Sequence, residues 1–281
     1  MADDQRPLLG RTVFLPRPPQ DHLTQALEQA GARVLAHPLT TTRLVPAPGE
    51  GINHARAALR EFEKGAYSWV FVTSMRTVKA LAAHAANLPY SEDADTDALR
   101  EAIAAATEAG TQFAVLGEKT AQLLRELGAN VALVAAGKAT AEELAQQFLH
   151  RDGAPACQYY ARAWIPVSQL GRNVLAAELA DAGWMVDRTD VYTTIAVEEV
   201  ARTLRTAWEH GLVEAAIFTA GSNARAASQL LGPAPPTTKI VTFGPPSAKV
   251  AGECGYQVNA LAQEQTAAGL IAAVRQALES N

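Results

Sequence analysis

The sequence predicts an α/β protein built from two doubly wound parallel sheets. The first observation is that short apolar or β-branched runs alternate with amphipathic segments along the whole 281-residue chain. Such alternation is typical of parallel sheets that are covered by helices on both faces. The second observation is an internal repeat, and the third is a pair of similar extended segments on either side of the middle of the chain. Together they indicate a chain that leaves one domain, builds a second and returns.

Most of the predicted strands are short, apolar and followed within a few residues by a helix. Runs that are apolar on both faces, such as SWVFVT, favour buried parallel strands. Strands are predicted at 12–16, 68–73, 112–116, 131–134, 158–162, 215–219, 239–243 and 257–259. Apolar residues that recur at helical spacing favour the helices. Helices are predicted at 21–30, 53–64, 75–86, 98–109, 119–127, 141–149, 168–182, 200–210, 222–231, 247–254 and 266–278.

Two extended segments mark the passage between the predicted domains. The run 186–197 is rich in β-branched residues and contains neither glycine nor proline. Branching at Cβ favours a strand over a helix. A similar run, 33–42, lies near the N-terminus, and an Ala-Gly pair typical of a helix end precedes both runs. We therefore predict that these two segments connect the domains.

The two halves of the chain repeat each other in nearly fixed register. Similar strand-turn-helix units can arise independently, but a series of matches at one spacing favours duplication. Gly117, Gly128 and Val131 recur as Gly244, Gly255 and Val258, and the strand that ends at Thr73 resembles the one that ends at Thr219. Each copy has about five strands, which is the size of a flavodoxin-like sheet.

Composition narrows the classes of function. The net charge of −5 argues against a nucleic-acid partner, which usually requires a basic face. We expect no membrane partner, because no apolar run approaches the roughly 20 residues that span a bilayer. The N-terminus lacks the pattern of a signal peptide, and Cys157 and Cys254 fit neither a disulfide framework nor a metal site. We expect a cytoplasmic monomer in which both cysteines are small buried apolar residues.

Motifs for common cofactors are missing. The sequence contains no glycine-rich nucleotide loop, no nucleophile elbow and no His/Cys cluster with metal-ligand spacing. The six histidines are scattered, and we interpret all of them as structural. An enzyme with this sequence is expected to work without cofactor or metal.

The candidate binding residues lie at the predicted carboxyl ends of strands, where open parallel sheets bind ligands. Most of these ends lead into helix N-termini, whose free N–H groups and dipole favour anions. Alternatively, the hydroxyl residues could be helix caps, the glycines turn residues and the arginines surface charges. The candidates are Arg17, Thr73, Ser74, Gly117, Lys119, Thr120, Arg162, Thr219, Ser222, Asn223, Gly244 and Ser247.

Six short segments follow one another along the chain: LPRP at 15–18, SWVFVTS at 68–74, LGEKTA at 116–121, VY at 191–192, FTAGS at 218–222 and FGPPSA at 243–248. Together they resemble motifs of the uroporphyrinogen-III synthase family. They follow the family's order over nearly the whole chain. The chain departs from the family pattern at Ser68, Val72, Ala220-Gly221 and Ser247, of which Ser247 retains a hydroxyl.

The resemblance implies two flavodoxin-like domains joined by a two-stranded β linker. Domain 1 would comprise 1–35 and 196–281, domain 2 would comprise 44–185, and 36–43 with 186–195 would form the linker. It also implies a cofactor-independent lyase of porphyrin and heme biosynthesis. The expected reaction is cyclisation of the linear tetrapyrrole hydroxymethylbilane to uroporphyrinogen III, with inversion of ring D and loss of water, in a cleft between the domains.

Tyr192 is the candidate general acid for the departing hydroxide. The phenol of a tyrosine is protonated at neutral pH and can donate its proton. Alternatively, Tyr192 could only pack the hinge between the domains. A non-catalytic two-lobed protein that binds or senses a ligand would have much the same sequence, and it remains the alternative function.

Overall fold

The computed structural model of the chain describes residues 6–46, 49, 53–137, 140–150 and 161–280. In chain order, the elements begin with β1 (Thr12–Leu15), α1 (His22–Gln29), β2 (Arg33–Ala36) and β3 (Thr40–Leu44). They continue with α2 (His54–Glu63), β4 (Trp69–Val72), α3 (Met75–Ala86), α4 (Asp97–Glu108), β5 (Gln112–Leu116), α5 (Glu118–Glu126), β6 (Val131–Ala135) and α6 (Ala141–His150). The last elements are β7 (Arg162–Ser168), α7 (Val174–Asp181), β8 (Met185–Ala196), α8 (Arg202–Glu209), β9 (Ala215–Phe218), α9 (Gly221–Leu231), β10 (Lys239–Thr242), α10 (Pro245–Glu253), β11 (Val258–Leu261) and α11 (Ala267–Glu279).

The chain divides into two compact units, each with its own sheet. Unit 1 comprises the described parts of Met1–Thr41 and Ile195–Asn281, and unit 2 those of Thr42–Thr194. The sheet of unit 1 has the order β11-β10-β9-β1-β2, and that of unit 2 the order β3-β8-β7-β4-β5-β6. The pairings from β2 to β11 and from β8 to β6 are parallel. The predicted α/β class with two doubly wound sheets is confirmed.

Unit 1 has the strand order 2-1-3-4-5 of the flavodoxin-like fold, in β2-β1-β9-β10-β11. In unit 2 the corresponding strands lie in the order β8-β7-β4-β5-β6, so the two strands on one side of the sheet come last in the chain rather than first. The sheet of unit 2 is therefore a circular permutation of the same arrangement. The direction of winding reverses between β1 and β9 in unit 1 and between β7 and β4 in unit 2. Doubly wound sheets bind their ligands at such switch points, outside the carboxyl ends of the strands.

The internal repeat is visible in the register of the sheets. The pairing of β5 with β6 shifts after Phe113, and the pairing of β10 with β11 shifts after Ile240, which is the matching position of the repeat. Gly128 and Gly255, which precede β6 and β11, have φ angles of 90° and 84°. Glycine adopts this left-handed conformation without steric cost. Two irregularities at matching positions support a duplicated unit.

Each sheet is covered by helices on both faces. In unit 2, Leu59 and Phe62 of α2 belong to the core on one face, and Phe148 of α6 belongs to the core on the other. In unit 1, α1 and α11 cover one face of the sheet and α8, α9 and α10 cover the other. Within the described residues, no helix is both long and apolar enough to span a bilayer.

One strand and the helix after it lie later in the chain than we predicted. Of the predicted strand 158–162, residues 158–160 lie outside the described residues, and β7 extends from Arg162 to Ser168. Accordingly, α7 begins at Val174 rather than near residue 168. Proline is usually excluded from central strands because it lacks an N–H group. Pro166 is tolerated because the pairing of β7 with β4 ends at Trp164.

A β-bulge in β8 changes the direction of Tyr192. The pairing of β7 with β8 shifts so that Val167 lies opposite Asp190 but Ser168 lies opposite Tyr192, which leaves Val191 as the extra residue. Successive side chains of a regular strand point to opposite faces. Here Val191 and Tyr192 belong to the same core cluster. Bulges often redirect a side chain next to a functional site.

We expect Gly65→Ala to destabilise unit 2 by about 3 kcal/mol. Gly65 has a φ of +72°, and a Cβ atom there would lie 2.4 Å from the Cβ atom of Ala109. Left-handed strain costs about 1–2 kcal/mol and overpacking about 1–3 kcal/mol. Gly110→Ala is the matched control, because Gly110 has a φ of +95° with open space around it, so only the strain is expected. Urea unfolding followed by tryptophan fluorescence measures the free energy of unfolding of both variants. Equal decreases in the two variants would show that the steric contact with Ala109 adds no cost.

Candidate functional site

Side chains at the switch point of unit 1 form a hydrogen-bonded group. Nη2 of Arg17 donates to Oγ1 of Thr219 at 3.3 Å, and this hydroxyl donates to Oδ1 of Asn223 at 3.2 Å. Nη1 of Arg17 lies 3.2 Å from Oδ2 of Asp21. Asn223 is buried, whereas the side chain of Arg17 is 37% exposed. The structure therefore brings three predicted residues together and leaves one side of the guanidinium accessible.

Asp21 belongs to this group but was not among the predicted site residues. It caps α1, because Oδ1 accepts a hydrogen bond from the backbone N–H of Leu23 at 2.9 Å. Its other oxygen holds Arg17 and neutralises part of the positive charge. The sequence signal was the i, i+4 spacing from Arg17 combined with a preferred N-cap residue type. The result is an arginine with a fixed orientation and a reduced net charge.

The N-terminus of α10 has fewer donors than the sequence argument assumed. Gly244 is its N-cap, and Pro245 and Pro246, which follow, have no backbone N–H groups. Ser247 was a possible N-cap, but it lies inside the first turn and is buried. The start of α10 therefore lacks two of the N–H groups that a helix N-terminus normally offers. At this edge the sheet contributes mainly the main chain of Gly244.

The N-terminus of α9 is better suited to an anion. Its N-cap is Ala220, whose side chain cannot accept a hydrogen bond from the first N–H groups. Ser222 lies within the first turn rather than at the cap. A Cβ atom at Gly221 would lie 2.8 Å from Cγ2 of Val250 on α10, so the departure from the family pattern at this position permits close packing of two helices. The N–H group of Asn223 donates to the carbonyl oxygen of Ala220. The candidate anion donors of α9 are therefore the N–H groups of Gly221 and Ser222.

A cavity of about 230 Å³ lies beside the switch point of unit 2. Thr73 follows β4, Ser168 ends β7 and Tyr192 lies in β8, and all three line the cavity together with Arg172 and Arg188. Tyr192 is only 7% exposed. Three hydroxyl groups and two guanidinium groups in one cavity form a set of donors that can hold a carboxylate.

Arg188 holds the turn that follows β7. Its Nη2 donates to the carbonyl oxygens of Gly171 at 3.2 Å and of Ser168 at 3.5 Å, and its Nη1 donates to Oδ1 of Asp190 at 2.6 Å. Its Nε is buried without a partner among the described residues. A Cβ atom at Gly171 would lie 2.9 Å from the carbonyl oxygen of Ser168, so this turn requires glycine. Arg188 therefore shapes the cavity wall in addition to contributing charge.

Sequence reasoning missed Ser168, Arg172 and Arg188. The first two lie inside a segment that we predicted as helix, although Ser168 ends β7 and Arg172 lies between β7 and α7. Arg172 lies outside the sheet and pairs with both carboxylate oxygens of Glu142, at 2.6 Å and 3.1 Å. The signal for Arg188 was its two-residue spacing from Asp190, which places both side chains on one face of a strand.

The other predicted residues of unit 2 lie at the next helix starts. Ser74 caps α3, since its Oγ accepts a hydrogen bond from the N–H of Arg76 at 3.1 Å. Gly117 is the N-cap of α5 and has a φ of +85°, which favours glycine. Lys119 is exposed, and Thr120 is buried within the first turn rather than at the cap. These residues follow β4 and β5, so they share the carboxyl edge with the cavity.

The predicted placement of Arg162 is wrong. Arg162 is the first residue of β7 and pairs with Met185, the first residue of β8, so it lies at the amino edge of the sheet. There its Nη2 is 3.6 Å from Oδ2 of Asp187, and its guanidinium lies 4.8 Å from the centre of the Tyr67 ring. The error follows from the predicted strand, which ended at the residue where β7 begins. Arg162 is excluded from the carboxyl-edge site.

His84 anchors β8 beside Tyr192. Its Nε2 lies 2.8 Å from the carbonyl oxygen of Val191, and its Nδ1 lies 3.4 Å from Nδ2 of Asn53. The carbonyl can only accept and the amide nitrogen can only donate, so Nε2 carries the hydrogen of a neutral ring. Burial lowers the pKa of His84, against the opposing effect of the bond to Val191, and Arg56 lowers it further. These contacts give His84 a structural role in holding β8.

The remaining predictions about ligating groups concern cysteine and metals. Cys254 is a partly exposed free cysteine at the end of α10, and Cys157 lies outside the described residues. In the part of the chain that the structure describes, no group of three or more His, Cys, Asp or Glu side chains could hold a metal ion.

The fold and the site define a class of two-unit flavodoxin-like proteins with anion-suited donors at the switch point of each sheet. Residues 21–272 match the sequence profile described as uroporphyrinogen-III synthase HemD. The chain belongs to the uroporphyrinogen-III synthase family, whose members serve tetrapyrrole and heme biosynthesis.

Solved structures with the same fold include two from this family. A mutant uroporphyrinogen III synthase of the extremely thermophilic bacterium Thermus thermophilus is 18% identical, with a TM-score of 0.53 over 96% of this chain and 99% of that chain. The uroporphyrinogen-III synthetase of Helicobacter pylori 26695 is 14% identical, with a TM-score of 0.57 over 93% of this chain and 96% of that chain. A comparison with curated proteins gives no match.

We expect the melting temperature to fall as the pH is lowered through the ordinary histidine pKa of 6.5. The folded protein keeps His84 neutral, whereas His84 of the unfolded chain takes up a proton. The contribution of His84 to the free energy of unfolding is therefore fully present above this pH and is lost as the pH falls below it. In His84→Gln an amide can still donate to Val191, so its melting temperature should depend less on pH. Scanning calorimetry from about pH 7.5 to pH 5 tests this, with the exposed His210→Gln as control. Equal slopes for the wild type and His84→Gln would contradict this role.

Proposed function

We propose that this chain cyclises hydroxymethylbilane to uroporphyrinogen III, with inversion of ring D and loss of water. Membership of the family over residues 21–272 supports this reaction. The observation that carries the chemistry is the unit 2 cavity, where the nearly buried Tyr192 lies among hydroxyl and guanidinium donors. This combination suits a substrate that bears carboxylates and must lose hydroxide.

Both carboxyl-edge sites contribute to substrate binding in this proposal. The substrate is a polycarboxylate, so one site could not hold all of its acidic side chains. Arg17 and the N-terminus of α9 would bind carboxylates on unit 1, and Arg172 with the hydroxyls of Thr73 and Ser168 would bind them on unit 2. We propose that the substrate lies between the two units, whose boundaries in the chain fall after Thr41 and after Thr194.

Tyr192 acts as the general acid in the proposed mechanism. Its phenol O–H donates a proton to the departing hydroxide, which leaves as water and generates a cationic azafulvene on the substrate. Attack by the terminal ring gives a spiro intermediate, and rearrangement with ring closure releases a proton that can restore the phenol. The bulge at Val191 and the packing of Tyr192 restrict the direction of the hydroxyl, which favours one geometry for proton transfer.

The proposed reaction requires no cofactor, because it is a dehydration within one molecule without net oxidation or reduction. Folding the chain of four rings so that closure occurs at the correct carbon is the larger demand on the protein. The shape of both sites and their hydrogen-bond donors would meet it.

We expect Tyr192→Phe to lower kcat by at least tenfold while leaving the fold intact, since general acids contribute about 100-fold to 10,000-fold to a rate. Formation of uroporphyrinogen III from hydroxymethylbilane is measured with separation of isomer III from isomer I, which forms spontaneously. Tyr256→Phe is the control, because its hydroxyl donates to the carbonyl oxygen of Gly232 away from both switch points. An unchanged rate for Tyr192→Phe would remove Tyr192 from the mechanism, and absence of isomer III with the wild type would favour the non-catalytic alternative.

We expect Arg17→Gln to raise KM about tenfold with a smaller change in kcat. A tenfold change corresponds to the loss of one charge-assisted hydrogen bond to the substrate, which is worth about 1.5 kcal/mol. Arg162→Gln is the matched control, because it removes the same charge at the amino edge of the other sheet. Its KM should equal that of the wild type. A similar increase in KM for both variants would indicate a general charge effect rather than a binding site at Arg17.

A further inference from the structure

Unit 1 has a groove at the end of its strands that is opposite to the carboxyl edge. A groove of about 410 Å³ lies between the start of the sheet and α8, and its lining includes Thr12, Arg33, Leu35, Arg202, Ala207 and Leu212. Thr12 and Arg33 are the first residues of β1 and β2. The groove therefore lies toward the amino edge of the unit 1 sheet, opposite the carboxyl edge that carries the Arg17 group, and the proposed reaction makes no use of it.

The floor of the groove is apolar. Leu35 and Ala207 are only partly buried, and both pack against the core cluster beneath α8. Leu212, which precedes β9, is 59% exposed. Strand β2 is the last strand on this side of the sheet, and α8 covers it incompletely. Ligand pockets have volumes of about 300–1,000 Å³ and largely apolar walls with a few polar groups, and this groove has both properties.

Two arginines at the groove have no partner. Within the described residues, neither Arg33 nor Arg202 has an ion pair or hydrogen bond through its side chain, and no carboxylate lines the groove. The carboxylate of Glu214 contacts the N–H of Thr12 at 2.8 Å but is occupied by Arg11 at 2.7 Å. In a chain with a net charge of −5, two unpaired cations beside apolar side chains form a distinct electrostatic feature.

We propose that this groove binds a small amphiphilic anion. The apolar body of the ligand would cover Leu35, Ala207 and Leu212, and its terminal carboxylate or phosphate would lie between Arg33 and Arg202. A guanidinium presents its donors in a planar fork that matches both anions. The volume of about 410 Å³ admits one such molecule with an alkyl chain or an aromatic ring system. The charge of the two arginines would disfavour a neutral or cationic analogue.

Isothermal titration calorimetry with four decyl probes tests the proposal on the full chain. Decanoate and decyl phosphate are expected to bind, and the comparison of the two shows which head group is preferred. Decanol and decyltrimethylammonium carry the same chain without an anion, and we expect at least tenfold weaker binding. Comparable affinity for decanol and for the better of the two anions would overturn the proposal, as would failure of both anions to bind.

Variants locate the binding site. The double variant Arg33→Gln/Arg202→Gln should weaken binding of the anions about tenfold, because exposed charge contacts are each worth about threefold to fivefold. Arg205→Gln is the control, since Arg205 lies on the same helix but does not line the groove. Ala207→Trp should fill the groove and block binding without removing a charge. Equal weakening by Arg205→Gln, or full binding by Ala207→Trp with an intact circular dichroism spectrum, would contradict the site.

Discussion

In each sheet, one short parallel pairing joins two strands that are distant in the chain. β1 pairs with β9 only at Val13 and Phe14, and β4 pairs with β7 only at Trp69 and Val70. Each pair of strands therefore separates before its carboxyl ends. Such a separation at a switch point is where doubly wound sheets bind their ligands. The Tyr192 cavity lies there in unit 2, and the Arg17 group lies at the corresponding position in unit 1. The candidate binding and catalytic sites depend on the fact that these two strand pairings end before the strands do.

The direction of Tyr192 depends on contacts made by three neighbouring parts of unit 2. The bulge leaves Val191 unpaired with β7, and Nε2 of His84 on α3 donates a hydrogen bond to the carbonyl oxygen of Val191. The turn after β7 binds the next carbonyl, because the N–H of Gln169 donates to Tyr192 at 2.7 Å. Arg188 fixes the same turn. The tyrosine is therefore held by main-chain bonds on both sides of the bulge, and protonation of His84 would place a second donor against the amide of Asn53.

Guanidinium groups at the carboxyl edges are oriented rather than free. Arg17 pairs with Asp21, Arg172 pairs with Glu142, and Arg188 pairs with Asp190. Each pair reduces the net charge of its site but fixes the direction of the remaining N–H groups, so a polyacid would be bound more by geometry than by overall attraction. The arginines of the unit 1 groove lack such partners among the described residues, and charge is expected to dominate recognition there. The two proposals thus give one chain two kinds of anion site.

The sequence by itself determined the order and type of most elements, because hydrophobic periodicity is a local property. Met75–Ala86 and Gln112–Leu116 have the predicted limits, and the ordered motifs indicated the family. Tertiary structure decided which edge of a sheet each residue occupies. Arg162 lies at the amino edge, and Ser168 and Arg188 lie beside Tyr192, because strand limits and the bulge are set by pairing between β7 and β8. Local sequence carries little information about such pairing, since the register of a strand depends on the partner that it meets.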